Sequence, residues 1–384
     1  MAATRLQRWL AWSAPIRRTL RSREALRRVA VVLGGGLLAA HAAHAVDLPE
    51  DKAEGMIHVY SGGGVTASGP ALLVRKNIAD KVSLSAGYYI DQVSNASIDV
   101  VTTASPYRER RTAYDFGADY VYRDAMISLS MSHSKEPDYT ANTFGVDVSQ
   151  EVFGGMTTVS MGYTRGSDTV LKHDSPEFMD RVTHWQYRFG LTQVLTPKWI
   201  ASANFEAISD DGFLGSPYRA ARAFGTLIPE RNPRTRSSRA LKFRVNGDLG
   251  ARNAMHAEYR YFWDNWAIKA HTLEGGYSRY FGELWLADAY LRYYKQSKAL
   301  FYSDDAQAET LYLTRNRQLG TFDSVSLGAK LSYTWKKVPG QYEIKANGAY
   351  ELVQFKYKDF TDIRTNSPYS FNANVLQLYV SATF

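Results

Sequence analysis

The sequence predicts an all-β fold: a transmembrane antiparallel β-barrel of about 16 strands, with short periplasmic turns and long extracellular loops. Three observations predict it. Apolar and polar residues alternate in runs of about ten, the length a tilted membrane strand needs. Short and long connections alternate in an unbroken phase. The chain ends on an alternating strand and an aromatic residue, Phe384.

The alternation is clearest at Ala125–Ser134. Ala125, Ile127, Leu129, Met131 and His133 share one face, and Ser128, Ser130, Ser132 and Ser134 the other. Val325, Leu327, Ala329, Leu331, Tyr333 and Trp335 repeat the pattern against Ser326, Gly328, Lys330, Ser332 and Thr334. A soluble sandwich also alternates, but its strands usually run to roughly 5–6 residues. Sixteen strands are expected at 55–61, 70–78, 82–92, 111–122, 125–134, 140–152, 156–166, 181–195, 199–208, 239–249, 253–263, 266–281, 284–296, 323–336, 341–357 and 374–384. Long or variable loops fall at 93–110, 135–139, 167–180, 209–238, 264–265, 297–322 and 358–373. If the Gly55–Gly69 stretch, with Gly62-Gly63-Gly64, enters the lumen instead, the count is 14.

Composition agrees. The 384 residues have a mean hydropathy of -0.34 yet include 26 tyrosines. No run of about 18 apolar residues exists for a membrane helix. Residues 1–45 read as a signal peptide: eight arginines, an apolar run from Val29 to Ala40, and small residues at Ala43-His44-Ala45, with cleavage near Ala45. Residues 46–54 then form a periplasmic segment and 55–384 the barrel, so the expected location is the bacterial outer membrane. The eight arginines and Glu24 give that segment a net +7 of the chain's +8, leaving about +1. The high isoelectric point therefore gives no support for nucleic-acid binding. Absence of cysteine excludes thiolate metal sites and a lipid-bearing N-terminal Cys.

Strand parity points Arg188, Lys242, Arg244, Arg260, Arg292 and Lys330 into the lumen, with Glu206, Asp248, Glu258 and Asp288. Charge on the lipid face would cost about 2–4 kcal/mol near the midplane, so inward is the expected direction. Two readings stay open: a water-filled path whose cations favour anions, or Arg–carboxylate networks that brace the wall, Arg244 with Asp248 among them. Trp185, Trp199, Trp285, Trp335, Tyr163, Tyr261 and Tyr333 point outward as membrane-interface girdles. Loop 209–238 carries Arg219, Arg222, Arg231, Arg234 and Arg236, a candidate basic constriction. Leu376, Leu378, Val380 and Phe384 form the pattern that barrel-assembly machinery recognises.

Enzymatic readings find little support. Asp210-Asp211, Asp304-Asp305 and His173-Asp174 could activate water as in barrel proteases, or hold a divalent cation or lipopolysaccharide phosphates. Solvated loop acids are the default. His133 and Ser134 are adjacent and must face opposite sides. No catalytic constellation, metal site or cofactor is assigned.

Several segments carry a resemblance: Gly87-Tyr88-Tyr89-Ile90-Asp91, Glu136-Pro137-Asp138-Tyr139-Thr140-Ala141, Thr157 to Gly166, and Asp210-Asp211-Gly212-Phe213-Leu214 with Pro217-Tyr218-Arg219. They resemble a bacterial family classed as a domain of unknown function, number 3570, across nearly the whole mature chain. The resemblance implies an exported barrel and, through the neighbours of such proteins, periplasmic redox or lipoprotein partners. The expected function is a channel for small polar solutes or a barrel partner in an envelope system. An outer-membrane hydrolase and a structural or adhesive surface protein are the alternatives. Expected partners are outer-membrane lipid, lipopolysaccharide and the assembly machinery, not nucleic acid.

Overall fold

The structure is a computed structural model that describes residues 46–95, 97–98 and 107–384. The predicted signal peptide, its cleavage site at Ala45, and residues 96 and 99–106 of the predicted 93–110 loop lie outside the described residues.

Sixteen strands close into one antiparallel barrel. They are β1 (Lys52–Gly62), β2 (Val65–Ala79), β3 (Val82–Asn95), β4 (Tyr107–Tyr122), β5 (Ala125–Glu136), β6 (Tyr139–Val152), β7 (Thr157–Leu171), β8 (Met179–Thr196), β9 (Trp199–Gly212), β12 (Thr235–Gly250), β13 (Asn253–Asp264), β14 (Lys269–Phe281), β15 (Trp285–Gln296), β16 (Phe322–Val338), β17 (Tyr342–Asp362) and β18 (Ser367–Thr383). A small hairpin, β10 (Ala220–Ala223) with β11 (Thr226–Pro229), sits between β9 and β12. β1 pairs with β18 from Lys52↔Thr383 to Gly62↔Ala373, which removes both sheet edges.

The count of sixteen therefore holds and fourteen does not. The Gly55–Gly69 stretch is wall, not lumen. Gly63 and Gly64 have φ of 59° and 79°, the paired positive angles of a tight two-residue hairpin turn, so β1 and β2 join directly. The barrel also begins earlier than residue 55, because Lys52 to Glu54 already pair with both β18 and β2.

Several connections are much shorter than expected. The 358–373 loop contracts to residues 363–366, and 135–139 to a two-residue turn at Pro137-Asp138. The cause is a reversal of pattern along the strands. In the lower part of β18, Leu378 and Val380 point outward and are 53% and 48% exposed. In its upper part the outward positions are Ser370, Asn372 and Asn374, while Tyr369, Ala373 and Val375 are buried inside. β17 does the same: Tyr350 and Leu352 face out below, then Gln354, Lys356 and Lys358 face out above Val353, Phe355 and Tyr357. The outer face is apolar where hydrocarbon surrounds it and polar where water does. These strands project beyond the membrane and enclose an apolar core of their own, with Tyr60, Val65, Ala67, Val93, Phe322 and Phe360.

The outward aromatics fall as girdles should. Trp285 packs against Tyr333 at 4.6 Å near the short-turn end, beside exposed Trp335. Tyr261 stacks on Trp263 at 5.3 Å towards the opposite end. The Trp199 ring lies where a side chain on Gly247 would otherwise sit.

Candidate functional site

The candidate site is the ionic lining of the barrel. Outward apolar residues on every strand force the intervening polar residues inward, where neighbouring strands hold opposite charges side by side. Arg188 on β8 makes a fork to Asp147 on β6, with Nη2 at 2.9 and 3.0 Å from the two carboxylate oxygens. The bridge passes over β7 at Gly162, where a Cβ would collide with both partners. Arg188 Nη1 also donates to Thr164 at 2.9 Å and Gln186 at 2.8 Å. Arg260 Nη2 lies 3.2 Å from Glu206 Oε2.

Arg244 donates to Glu258 at 3.1 Å, and Lys242 Nζ lies 3.7 Å from the same carboxylate. The expected Arg244–Asp248 pair does not form. Four residues along a strand span about 13 Å, whereas Glu258 is directly opposite Arg244 in register. Asp248 instead accepts the Gly250 N–H at 2.8 Å and caps the turn. Arg292 donates to Glu274 at 2.7 Å and lies 3.5 Å from Glu351. Lys330 Nζ sits 5.9 Å from the Tyr379 ring centre, and Asp288 accepts from Ser278 at 2.5 Å.

Three histidine–carboxylate groups escaped the sequence reading. His58 Nε2 lies 2.7 Å from Asp91 and 2.9 Å from the Tyr89 hydroxyl, with the two rings stacked at 4.6 Å. Asp91 also neighbours Arg111, which donates to Ser134 at 2.6 Å and lies 3.7 Å from Glu136. His184 lies between two carboxylates, Nδ1 2.6 Å from Asp210 and Nε2 2.9 Å from Asp168, which also accepts from the Tyr139 hydroxyl. His256 Nε2 is 3.0 Å from Glu274. Parity alone assigns these side chains inward; which strand supplies the partner depends on register, which the sequence does not carry.

The loop arginines are each held by a carboxylate. Arg219 lies 3.8 Å from Glu230, Arg222 3.6 Å from Asp305 and Arg231 3.3 Å from Glu309. Arg234 forks onto Asp180 at 2.8 Å, which raises the Arg234 pKa above its ordinary value. Arg236 bonds Asp264 at 2.6 Å and stacks 4.6 Å from Trp266. The arginines that reach the apolar core inside the projecting wall come from residues 297–321 instead. Arg315 lies 4.3 Å over Phe360 and bonds Asp304 at 2.8 Å and the Thr361 carbonyl at 2.7 Å. Arg317 lies 5.4 Å from Tyr369 and 5.5 Å from Phe371.

The acids considered for catalysis are engaged separately: Asp210 with His184, Asp304 with Arg315, Asp305 with Arg222. His173 donates its backbone N–H to the Tyr218 hydroxyl at 2.7 Å. That hydroxyl donates to Asp138, and burial with this bond pushes the Tyr218 pKa up. His133 faces outward, 2.8 Å from Asn142, while Ser134 faces inward. Among the described residues no group of three or more His, Cys, Asp or Glu is placed to hold a metal.

A closed barrel with an apolar outer belt and an ion-paired interior defines a transmembrane β-barrel protein. The chain belongs to a family described as a protein of unknown function (DUF3570), matched over residues 36–177 and 172–351. No curated protein matches it. Among solved structures it is similar to the siderophore receptor PirA from Pseudomonas aeruginosa, at 11% identity and a TM-score of 0.45 over 82% of this chain. It spans only 60% of that receptor's length. The CymD monoaromatic hydrocarbon channel matches at 12% identity and 0.44, covering 88% of this chain and 89% of that one. A bacterial polysaccharide outer membrane secretin matches at 10% and 0.49, covering 86% and 98%.

Proposed function

We propose that this chain is an outer-membrane channel for small polar solutes. The observation that supports it is the inner wall: charged side chains line it from β1 to β17, and one of them, Asp115 on β4, is exposed although it faces inward. A wall built only for bracing has no use for an accessible inward carboxylate. Residues 1–45 act as the export signal in this reading. The exposed stripe Leu376, Leu378, Val380 and Phe384 serves assembly. Arg188, Lys242, Arg244, Arg260, Arg292 and Lys330 line the path with Glu206, Asp248, Glu258 and Asp288.

A second reading is a closed scaffold that docks an envelope partner. It draws on the upper core, where residues 297–321 pack across the inner wall through Arg315, Arg317 and Tyr302, whose hydroxyl donates to the Asp359 carbonyl at 2.8 Å. Single-channel recording of the refolded chain in planar bilayers separates the two. Discrete conductance steps are expected of the channel; silence at high protein density would sink that reading and leave the scaffold.

A further inference from the structure

We propose that the outer wall carries a binding groove for an anionic phospholipid, with an acyl chain laid on β14 to β17 and the headgroup phosphate on Arg279. A hollow of about 500 Å³ opens there on the lipid-facing side of the barrel. Its floor is made of small residues: Ala287 and Ala289 on β15, Ala329 on β16 and Gly348 on β17. In register, one row across the sheet reads Tyr277, Ala289, Ala329, Tyr350, so two alanines lie between two tyrosine walls.

The walls are held apart. The Tyr277 hydroxyl donates to Asn253 at 2.6 Å, and the Tyr350 hydroxyl donates to Asn374 at 2.5 Å. Asn253 is on β13 and Asn374 on β18, the flanking strands on the sides away from the floor. Each ring is therefore anchored away from the alanines, and the hollow is open before anything enters it. A preformed apolar groove spares its ligand the cost of ordering the site.

Positive charge marks the short-turn end of the groove. Arg279 faces outward one row nearer the turn, opposite Ala287. It is exposed and makes no ion pair among the described residues. Its guanidinium lies 5.2 Å over Phe281, which is opposite the girdle residue Trp285 in register, and so reaches the headgroup level. Arg252, in the adjoining turn, lies 5.4 Å over Tyr280 and adds a second cation at that end. A cation on the lipid face is costly unless it reaches the interface or meets an anion. A phosphate meets a planar guanidinium with two charge-assisted hydrogen bonds. Short turns face the periplasm, the side on which the outer membrane presents phospholipid. A second copy docked through the same face would instead bring two Arg279 cations into one interface.

The test is native mass spectrometry of the refolded full chain, freed of lipid in a zwitterionic detergent. It is titrated with phosphatidylglycerol or with phosphatidylcholine of the same acyl chains. One phosphatidylglycerol should bind about fivefold more tightly than phosphatidylcholine, the gain expected of roughly one interfacial arginine. Arg279→Gln should bring that ratio to about one, because only the headgroup contact is lost. Ala289→Phe, which fills the floor, should weaken both lipids alike. Both positions face lipid, so the heat-modifiable band of the folded barrel should persist on gels. Arg165→Gln, exposed on β7 and outside the groove, should leave the ratio unchanged. Equal affinities of the native chain for the two lipids, a ratio that survives Arg279→Gln, or binding that Ala289→Phe does not weaken overturns the proposal. A lipid-free dimer that Ala289→Phe dissociates overturns it in favour of a contact between copies.

Discussion

The two halves of the β17–β18 hairpin use one alternation in opposite senses. In the membrane half, apolar side chains face out and polar ones in, as with Leu378 and Val380 against Gln377 and Ser381. In the projecting half, Phe355, Tyr357, Tyr369 and Phe371 turn inward, and Gln354, Lys356, Ser370 and Asn372 turn out. The backbone ladder continues, apart from a register shift between Lys356 and Thr361. The solvent outside changes, and the sense of burial changes with it. Alternation therefore fixes that two faces differ; it does not say which of them is the core.

The projecting half should be the more fragile. Phe360 is 1% exposed and lies beneath Arg315, within 5.7 Å of Tyr369. Truncation of a buried Phe to Ala costs about 3–5 kcal/mol. Phe360→Ala is expected to open residues 297–321 to external protease while the heat-modifiable band of the intact barrel persists on gels. An unchanged cleavage pattern would show that this core does not hold the segment.

The reversal itself predicts unequal penalties for one substitution. Leu378→Arg places a cation on the lipid face and should cost about 2–4 kcal/mol if near the midplane. Asn372→Arg, also outward but in the projecting half, should stay within about 0.5 kcal/mol. Urea midpoints in liposomes measure both, and equal losses would remove the boundary drawn between the halves.

The membrane half has its own close fit at Gly162. A methyl there meets the Arg188–Asp147 fork, so Gly162→Ala should destabilise by about 1–3 kcal/mol. Most of that penalty should vanish in the Gly162→Ala/Asp147→Ala double variant, because the carboxylate oxygen nearest the added methyl is gone. Additive losses in thermal midpoint would mean that the glycine serves something other than the bridge.

The sequence carried the barrel, the strand number and the inward side of each membrane strand, because lipid imposes a strict period of two. It misread residues 358–373 as loop for the same reason. Lys356, Lys358, Ser370 and Asn372 break the apolar-outward rule, and outside the membrane that rule is reversed. Arg244 was assigned inward by parity, but its partner Glu258 lies 14 residues away on the next strand, and only register brings them together. His58 and His184 were missed because a lone histidine on an alternating strand gives no signal until other strands supply its carboxylates, Asp91 for His58 and Asp168 with Asp210 for His184.

The smallest effect concerns the seam where β18 meets β1. Asp51 ties three strands there: its carboxylate bonds Lys76 at 2.5 Å and the Asn77 N–H at 2.6 Å, and its carbonyl accepts from Phe384 at 3.1 Å. The Lys76 ammonium, with the Asn77 amide, holds the Asp51 carboxyl below its ordinary pKa. A lowered folded pKa stabilises the barrel above the unfolded value, about 3.9, and that contribution is lost as pH falls through the folded value. Lys76 is exposed, so solvent screening keeps the gain below about 1 kcal/mol. Asp51→Asn keeps an acceptor for the Asn77 N–H and removes only the charge. Its stability should fall slightly short of the native chain at pH 7 and become equal to it once the pH lies below the lowered folded pKa of Asp51. A gap that persists into acid would mean that Asp51 acts at the seam through shape and hydrogen bonding rather than charge.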